Sequence, residues 1–335
     1  MRRVVLVLGI VVLLMVVSVL IGIAFLMSRG PEPTEPEGSY DVTIDIPRGN
    51  LYGGPSFGRQ LDVSPDGMRV VYVGQAGKGS RTLFTHTIGE KLPTQIPGID
   101  AGNRDVRDPT FSPDGRYVAY WAQGNVKRIA LDGTVSLVRA APSTRGIAWL
   151  DNDTLVLGNP KGPLLKLALS NPEAEPLPLT ESAGSELLQV SPNVLPGNKA
   201  VLFTIVNGPL ANARIGVLLL ETGEVRQLFD ENAFAPRYLP TGHIVFGRGP
   251  TRELMAVRFD LSKLETVGTA QPVLSVSLAG TGEGGATDYA VSETGVLVYT
   301  PDHESGGDTL RTWFGDPTKI RVRLNWFEEL KRLLP

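Results

Sequence analysis

Four arginines precede tight turns at similar distances along the chain. The first three lie about eight residues before the turn glycine or asparagine, and the fourth lies closer to its turn. They are Arg59, Arg107, Arg145 and Arg237. Guanidinium groups bind carboxylates and phosphates through paired hydrogen bonds, so arginines gathered at one opening would bind an anionic ligand. The alternative is that each arginine pairs with a nearby acid, such as Asp62 or Asp108, and only ties neighbouring structural units together.

Two glycine-containing patterns resemble catalytic motifs but lack their structural context. Gly54-x-Ser56-x-Gly58 matches a nucleophile elbow, yet no buried strand pattern precedes it and no helix pattern follows it. Residues 280–285 contain Gly-x-Gly-x-x-Gly outside any strand–helix–strand unit, which a dinucleotide site requires. We interpret both as loops, and the sequence predicts no catalytic residue and no cofactor.

The potential metal ligands are scattered. His86, His243 and His303 lack the spacing of a metal-binding motif, and the sequence contains no cysteine. Asp151-Asn152-Asp153 resembles part of a calcium loop, but it occupies a turn position and the other ligands are missing. No metal site is predicted from these spacings, although convergence of distant residues on a channel stays open as an alternative.

The strands that must position these residues follow a repeated turn. Ser112-Pro113-Asp114-Gly115 precedes an alternating run over residues 117–121, and Ser64-Pro65-Asp66-Gly67 precedes a similar run. Proline presets the turn, aspartate bonds back to the backbone, and glycine accepts a positive φ. Weaker copies precede runs that begin near residues 155, 201, 244 and 296. The unit is therefore a strand, a tight turn and a second strand.

The spacing of these turns predicts the fold class. Successive turn markers are 37 to 53 residues apart, which is typical of four-stranded propeller blades. On these motifs, residues 40–301 resemble the TolB-like, WD-type β-propellers of bacterial envelope proteins. The resemblance implies an all-β fold of about six blades, with the recurring strand aromatics packed between blades. They are Tyr72, Tyr120, Trp121, Phe203, Phe246 and Tyr299.

The charge and the length of the chain limit its possible partners and the size of its core. The 335 residues include 32 basic and 35 acidic side chains, for a net charge of −3. Nucleic-acid binding usually needs a basic face, so no nucleic-acid partner is expected. A chain of this length can bury a sufficient core without disulfides.

The first 29 residues predict a transmembrane signal anchor. Arg2 and Arg3 precede an uncharged apolar run to residue 27, and about 20 apolar residues suffice to cross a bilayer. A cleaved signal peptide is the alternative. The positive charges favour an inside amino terminus, which would place the rest on the periplasmic side of the bacterial inner membrane. Residues 30–39 form a Pro/Glu-rich linker in this interpretation.

The two ends of the predicted propeller carry further signals. Residues 40–46 alternate as a strand that either closes the ring against the last blade or forms an independent edge. Residues 302–335 are expected to contain short strands and an amphipathic helix, with Asn325 as its cap. Residues 324–333 resemble the closing segment of the extracytoplasmic propeller in bacterial membrane-anchored serine/threonine protein kinases. The sequence lacks every kinase motif.

These observations predict a membrane-tethered, extracytoplasmic propeller that acts as a non-catalytic sensor or scaffold. Its expected partner is an envelope or membrane protein, or an anionic small ligand. A hydrolase or lyase-type enzyme with a metal or carboxylate site at the channel mouth is the main alternative. A shortened sensor half of a kinase, with no independent role, is the third interpretation.

Overall fold

The computed structural model describes twelve parts of the chain, and all structural statements concern these parts. They are residues 38–47, 58–76, 80–99, 105–171, 173–181, 187–208, 212–228, 230–249, 251, 253–278, 287–301 and 318–334. No helix within them is long and apolar enough to cross a membrane. The predicted anchor lies outside the described residues, as do Ser56, His303 and the glycine pattern at 280–285.

The described residues form six four-stranded antiparallel sheets, which confirms the predicted all-β, six-bladed propeller. Blade 1 contains β2 (Leu61–Val63), β3 (Arg69–Gln75), β4 (Arg81–Thr87) and β5 (Thr94–Gln95). Blade 2 contains β6 (Arg107–Phe111), β7 (Tyr117–Ala122), β8 (Asn125–Ala130) and β9 (Val135–Ala140). Blade 3 contains β10 (Ile147–Trp149), β11 (Thr154–Leu157), β12 (Leu165–Ala168) and β13 (Leu177–Pro178).

The remaining blades follow the same order. Blade 4 contains β14 (Leu187–Val194), β15 (Ala200–Asn207), β16 (Arg214–Leu219) and β17 (Val225–Gln227). Blade 5 contains β18 (Ala233–Leu239), β19 (His243–Arg248), β20 (Glu253–Asp260) and β21 (Glu265–Ser277). Blade 6 contains β22 (Tyr289–Val291), β23 (Leu297–Tyr299), β24 (Lys319–Leu324) and β1 (Tyr40–Asp45). The first strand of each blade in this account lies innermost, except that β1 is the outermost strand of blade 6.

The ring closes through β1. This strand pairs antiparallel with β24, from Tyr40 opposite Leu324 to Asp45 opposite Lys319. The interpretation of residues 40–46 as a closing strand is therefore confirmed over an independent edge. Blade 6 takes its third strand from the segment 302–335, so β24 completes the sixth blade instead of starting a seventh.

The complete turn motifs act as the sequence predicts. In blade 2, the Ser112 hydroxyl donates to Asp114 at 2.6 Å and accepts the Tyr117 N–H at 3.0 Å. Gly115 has a φ of 68°, which a residue with a side chain rarely adopts. Blade 1 repeats the arrangement with Ser64 and Asp66. In blades 4 and 5, the position of the serine is taken by Leu195 and Leu239, which are also buried but have no hydroxyl to bond the turn.

The core lies between the blades. Each of the six blade interfaces contains its own cluster of buried apolar side chains, as a closed ring of sheets requires. The six recurring aromatics are all buried, with exposed fractions from 0 to 6%. The interpretation of these aromatics as blade-packing residues is confirmed.

The chain continues from β24 into helix α1 (Trp326–Leu333), as the amphipathic pattern predicts. Trp326 and Leu330 are buried against blades 5 and 6, and the backbone N–H of Trp326 donates to the Gly295 carbonyl at 2.9 Å. The predicted capping was wrong in its detail. Asn325 stands at the N-cap position, but it has a φ of 52° and its side chain makes no capping hydrogen bond. The left-handed backbone turns the chain from β24 onto the blade, so the side chain does not reach the first helical turn.

Candidate functional site

The innermost strands share an unusual backbone feature. At one equivalent position in blades 2 to 5, the residue has a positive φ: Asp108, Gly146, Ser191 and Ala235. Three of these residues are not glycine, and such a conformation costs about 1–3 kcal/mol each. In blades 2, 4 and 5, the strand pairing shifts register at this point, as in a β-bulge. The bulges bring all four residues around one small space on the channel axis.

Hydrogen bonds join every pair of neighbouring blades around this space. Blade 1 is joined to blade 6 by Gln60 N–H to Asp288 Oδ1 (3.0 Å) and to blade 2 by Arg59 N–H to Asp108 Oδ1 (2.9 Å). Blade 3 is joined to blade 2 by Thr144 Oγ1–H to Asp108 Oδ2 (3.3 Å) and to blade 4 by Ser191 N–H to the Arg145 carbonyl (2.7 Å). Blade 5 is joined to blade 4 by Ala235 N–H to Thr204 Oγ1 (2.9 Å) and to blade 6 by Tyr289 Oη–H to the Ala235 carbonyl. The channel narrows there to a cavity of about 10 Å³, which holds about one water molecule.

Asp108 is the central acceptor of this ring. Its side chain is fully buried, and a side chain at Gly58 would collide with it, because an added Cβ would lie 2.5 Å from Oδ1. Burial raises the pKa of Asp108, and a hydrogen bond from the Gly146 N–H opposes that rise. The carboxylate is thus already occupied by blade contacts on both sides.

Above the ring, the channel opens into a funnel of about 720 Å³ on the side of the repeated turns. All six blades contribute to its wall. The rim contains the turn prolines Pro65, Pro113, Pro196 and Pro240. Polar groups between them come from the Asp151-Asn152 turn, Asn193 and Glu293. The funnel combines an apolar rim with scattered polar groups, which is typical of ligand pockets of this size.

Arg59 lies at the base of the funnel but is largely used for blade packing. It is 7% exposed. Its Nη2 donates to Thr110 Oγ1 at 2.7 Å and to the Pro109 carbonyl at 3.2 Å. Its Nη1 lies 3.4 Å from Asp62 Oδ1. These contacts tie blade 1 to blade 2.

Arg107 and Arg145 do not join Arg59 at the funnel. The Arg107 guanidinium stacks on Trp121, with Cζ 3.6 Å from the ring centroid, and donates to Ser143 Oγ and the Thr144 carbonyl at 2.8 and 3.2 Å. Its third contact is an ion pair with Asp105. Arg145 is half-buried, and its carbonyl belongs to the ring of blade contacts. Neither residue lines the funnel, so the geometry brings together two of the four arginines.

Arg237 is the second arginine at the base. It is half-buried and lines both the funnel and the small cavity beneath it. Its Nη1 donates to the Pro192 carbonyl at 3.3 Å, and no other hydrogen bond or ion pair joins its guanidinium to a described residue. Burial, together with the charge of Arg59, lowers the pKa of Arg237 to about 10. The side chain keeps donors for a ligand that enters the funnel.

From the sequence alone, Asp108, Tyr289 and Trp149 were not expected to be central residues of the site. Tyr289 is buried at the base, where burial raises the pKa of its hydroxyl, and Trp149 lines the funnel wall. The sequence does carry a signal for the bulges. Each of the three bulged blades has a proline three residues before its first turn residue: Pro109, Pro192 and Pro236. No comparable signal marked Trp149.

The described histidines do not meet at the channel. His86 is buried within β4, and His243 is buried at the start of β19. Among the described residues, no three His, Cys, Asp or Glu side chains are grouped so that they could hold a metal ion. Asp151 accepts the Asp153 N–H at 2.7 Å, as expected for a turn. The enzymatic alternative at the channel mouth stays a prediction.

Fold and site together define a six-bladed β-propeller with an open funnel above a narrow, hydrogen-bonded channel. No protein-family model matches the sequence, and no curated protein matches it. Solved structures with a similar fold include oligogalacturonate lyase from Vibrio parahaemolyticus, with a TM-score of 0.55 and 13% identity, covering 85% of this chain and 96% of that one.

Two other solved structures with a similar fold carry unrelated names. U3-55K has a TM-score of 0.54 and 10% identity, covering 88% of this chain and 99% of that chain. TolB from Acinetobacter baumannii has a TM-score of 0.45 and 15% identity, covering 60% of this chain and 51% of that one. At such identities the likeness concerns the fold alone, which hosts many functions. The resemblance to kinase-associated propellers stays a prediction.

Proposed function

We propose that this chain is a membrane-tethered, extracytoplasmic binding module that catalyses no reaction. In this proposal its funnel takes up an anionic group, either from an envelope protein or from a small ligand. The observation that carries the proposal is the state of Arg237. A guanidinium with one hydrogen bond to a described residue lies at the base of a 720 Å³ opening.

The surroundings of Arg237 favour an anion over a neutral group. The two acids nearest the base are already engaged, since Asp62 accepts the Phe111 N–H at 2.9 Å and Asp108 accepts the Arg59 N–H. Arg59 adds a second positive charge to the same space. A carboxylate or phosphate that reaches Arg237 would satisfy free donors and relieve repulsion between the two guanidinium groups.

The shape of the funnel supports a protruding group as the ligand. The opening is wide, while the cavity beneath the two arginines has room for about one water molecule. The ligand would therefore enter from the turn side and stop at the arginines. An acidic side chain on a partner protein or a compact organic acid fits this description, with its apolar part against Trp149 and the rim prolines.

The cellular setting of the proposal comes from the sequence. The apolar segment 1–29 would anchor the chain in the bacterial inner membrane as a single pass, and the linker at 30–39 would hold the propeller away from the lipid. A propeller in the periplasm would meet envelope proteins and small anions there. A role as a sensor or scaffold associated with a kinase fits this setting.

The test is a pull-down from detergent-solubilised bacterial envelope with the full chain as bait. Wild type, Arg237→Gln and Arg237→Lys are compared, with Arg116→Gln as the matched control. Arg116 is exposed on blade 2, where it pairs with Asp114 at 2.9 Å. We expect a specific envelope protein to be recovered with wild type and with the control, to be lost with Arg237→Gln, and to return in part with Arg237→Lys.

Two results would contradict the binding part of the proposal. Equal recovery with wild type and Arg237→Gln would mean that the funnel base does not bind the partner. Recovery of no specific protein, together with no binding of phosphate or acetate to the folded chain by calorimetry, would remove both forms of the anionic ligand. Turnover of an offered substrate would contradict the non-catalytic part alone.

A further inference from the structure

Blade 5 carries a second cavity, of about 650 Å³, which shares no lining residue with the funnel. Its base comes from the start of β19 and the end of β20, and its outer wall comes from the last turn of α1. This helix is firmly placed, because Trp326 and Leu330 are fully buried. The cavity is therefore a built groove between a sheet and a packed helix.

Three side chains form a row across the sheet in this groove. His243 on β19 is directly opposite Arg258 on β20, and Arg258 is directly opposite Val267 on β21. Directly opposed residues project from the same face of an antiparallel sheet, with Cβ atoms about 5 Å apart. The row presents an imidazole, a guanidinium and an apolar side chain side by side, and all three line the groove.

His243 has a ring nitrogen that needs a partner. The residue is 5% exposed, and its Nδ1 lies 3.1 Å from Thr241 Oγ1. Its Nε2 is buried and has no hydrogen-bond partner among the described residues. When the Thr241 hydroxyl donates to Nδ1, Nε2 carries the ring proton and is the available donor. Burial, reinforced by the charge of Arg258, lowers the pKa of His243 and therefore favours the neutral imidazole.

Arg258 is the uncompensated charge of the groove. Its side chain is exposed and makes no hydrogen bond or ion pair with a described residue. The other charged groups that line the groove have partners. Lys331 donates to Glu328 at 2.7 Å, and Asp260 accepts the Ser262 hydroxyl at 2.6 Å and lies 3.5 Å from Lys263. The groove thus offers one positive charge next to one neutral donor.

The remaining surface is apolar. Val267 is 52% exposed, and Leu334 at the end of α1 is half-buried. Apolar side chains that line the same groove as a cation favour a ligand whose anionic end is joined to an apolar body. A bare inorganic anion would leave these apolar groups in water.

We propose that this groove binds an organic monocarboxylate with a short apolar chain. The carboxylate accepts hydrogen bonds from the Arg258 guanidinium and from His243 Nε2–H, and the chain packs between Val267 and Leu334. The site is distinct from the funnel, because none of its lining residues lines the funnel.

The first experiment is titration calorimetry of the full chain with hexanoate, hexanamide and acetate as probes. Hexanoate is expected to bind. Hexanamide lacks the charge and acetate lacks the apolar chain, so the affinity of each is expected to be lower than that of hexanoate by roughly tenfold or more. Equal affinity for hexanoate and hexanamide would overturn the role of Arg258, and equal affinity for hexanoate and acetate would overturn the apolar contact.

Variants then locate the site. Arg258→Gln is expected to weaken hexanoate binding roughly tenfold or more, and Val267→Asp to have a similar effect through repulsion of the carboxylate. Both positions are exposed, so the fold should tolerate the changes, and circular dichroism checks this. The matched control is Arg226→Gln, an exposed arginine on β17 outside the groove. Unchanged binding by Arg258→Gln, or no hexanoate binding by the wild type, would refute the proposal.

Discussion

Arg107 and Arg237 both belong to innermost strands, yet their guanidinium groups meet opposite surroundings. Arg107 stacks on Trp121 and uses its donors on three neighbours at the interface of blades 2 and 3. Arg237 makes a single hydrogen bond with a described residue, at 3.3 Å, at the base of an open funnel. The Arg107 guanidinium uses its hydrogen-bond donors in blade packing, whereas the Arg237 guanidinium keeps donors that no described residue binds.

This difference shows that position in a repeat fixes the backbone but not the role of the side chain. Arg59 and Arg107 stand at the same repeat position, five residues before the turn serine, but they contact different groups. Arg237 stands three residues later in its repeat, beyond the bulge at Ala235. The position of Arg237, two residues before the first turn residue, lines the funnel in other blades as well, where it is occupied by Asp62, Thr110 and Asn193.

The largest expected effect is on Arg107. Arg107→Met should lower the free energy of unfolding by about 3 kcal/mol, because the stacking on Trp121 is lost and the buried contact with the Thr144 carbonyl is left unmade. Urea unfolding of the full chain, followed by circular dichroism, measures this loss. The control Arg116→Met concerns an exposed arginine and should change stability much less than Arg107→Met does. Similar losses for both variants would refute the assignment of Arg107 to packing.

Arg59 should give a smaller loss, because it combines the two roles. Arg59→Met is expected to lower the free energy of unfolding by about 2 kcal/mol, since its hydrogen bonds to the Pro109 carbonyl and to Thr110 Oγ1 are lost. A double-mutant cycle sharpens the test. Arg59→Met should be non-additive with Thr110→Val, which removes a contacted hydroxyl. Simple addition of the two effects would mean that this contact contributes little.

The fold was largely predictable from the sequence, because its signals are local. The turn at Ser112 to Gly115 determines its own geometry through a few neighbouring residues, and its recurrence gives the blade count. Strand β1 was also predictable, since an alternating segment ahead of the first complete blade leaves the last blade as its partner. Local rules sufficed wherever the repeat was intact or only mildly degenerate.

The candidate site was less predictable, because it depends on register and on bulges. The pairing of His243 with Arg258 joins strands through a register that the sequence does not state. Asp108 can be buried only because Gly58, which leads into blade 1, has no side chain that would collide with its carboxylate. Arg107 lies at the predicted repeat position, but the ring of Trp121 that it contacts comes from the next strand. Side-chain surroundings of this kind follow from tertiary packing.

Arg237 is expected to respond in the opposite sense from Arg107. Arg237→Met should leave the free energy of unfolding unchanged or raise it by up to about 1 kcal/mol, because burial and the neighbouring charge of Arg59 disfavour the Arg237 charge in the native state. The same variant should lose binding in the funnel. This combination is typical of a functional residue that costs stability. A loss of more than about 1 kcal/mol would instead make Arg237 a structural residue like Arg107.

The smallest expected effect concerns a fourth arginine, Arg323, which is paired at the closure of the ring. Its Nε and Nη2 donate to the two Asp41 carboxylate oxygens at 2.7 and 2.9 Å, and the bond lowers the pKa of Asp41. A lowered pKa in the folded state means stability that is present above the unfolded value and is lost as the pH falls through the folded value. Because Asp41 is 42% exposed, the contribution should be about 0.5 kcal/mol.

The measurement compares wild type with Asp41→Asn in thermal unfolding at several pH values. The difference in stability should be present at pH 7 and should disappear as the medium is acidified below the ordinary pKa of 3.8 for this group. Glu175→Gln serves as control, because Glu175 is exposed and has no ion pair with a described residue. A difference that persists unchanged into acid would mean that Asp41 acts through hydrogen bonding alone. The ion pair with Arg323 would then contribute nothing to holding β1 in the ring, although the pairing of β1 with β24 would remain.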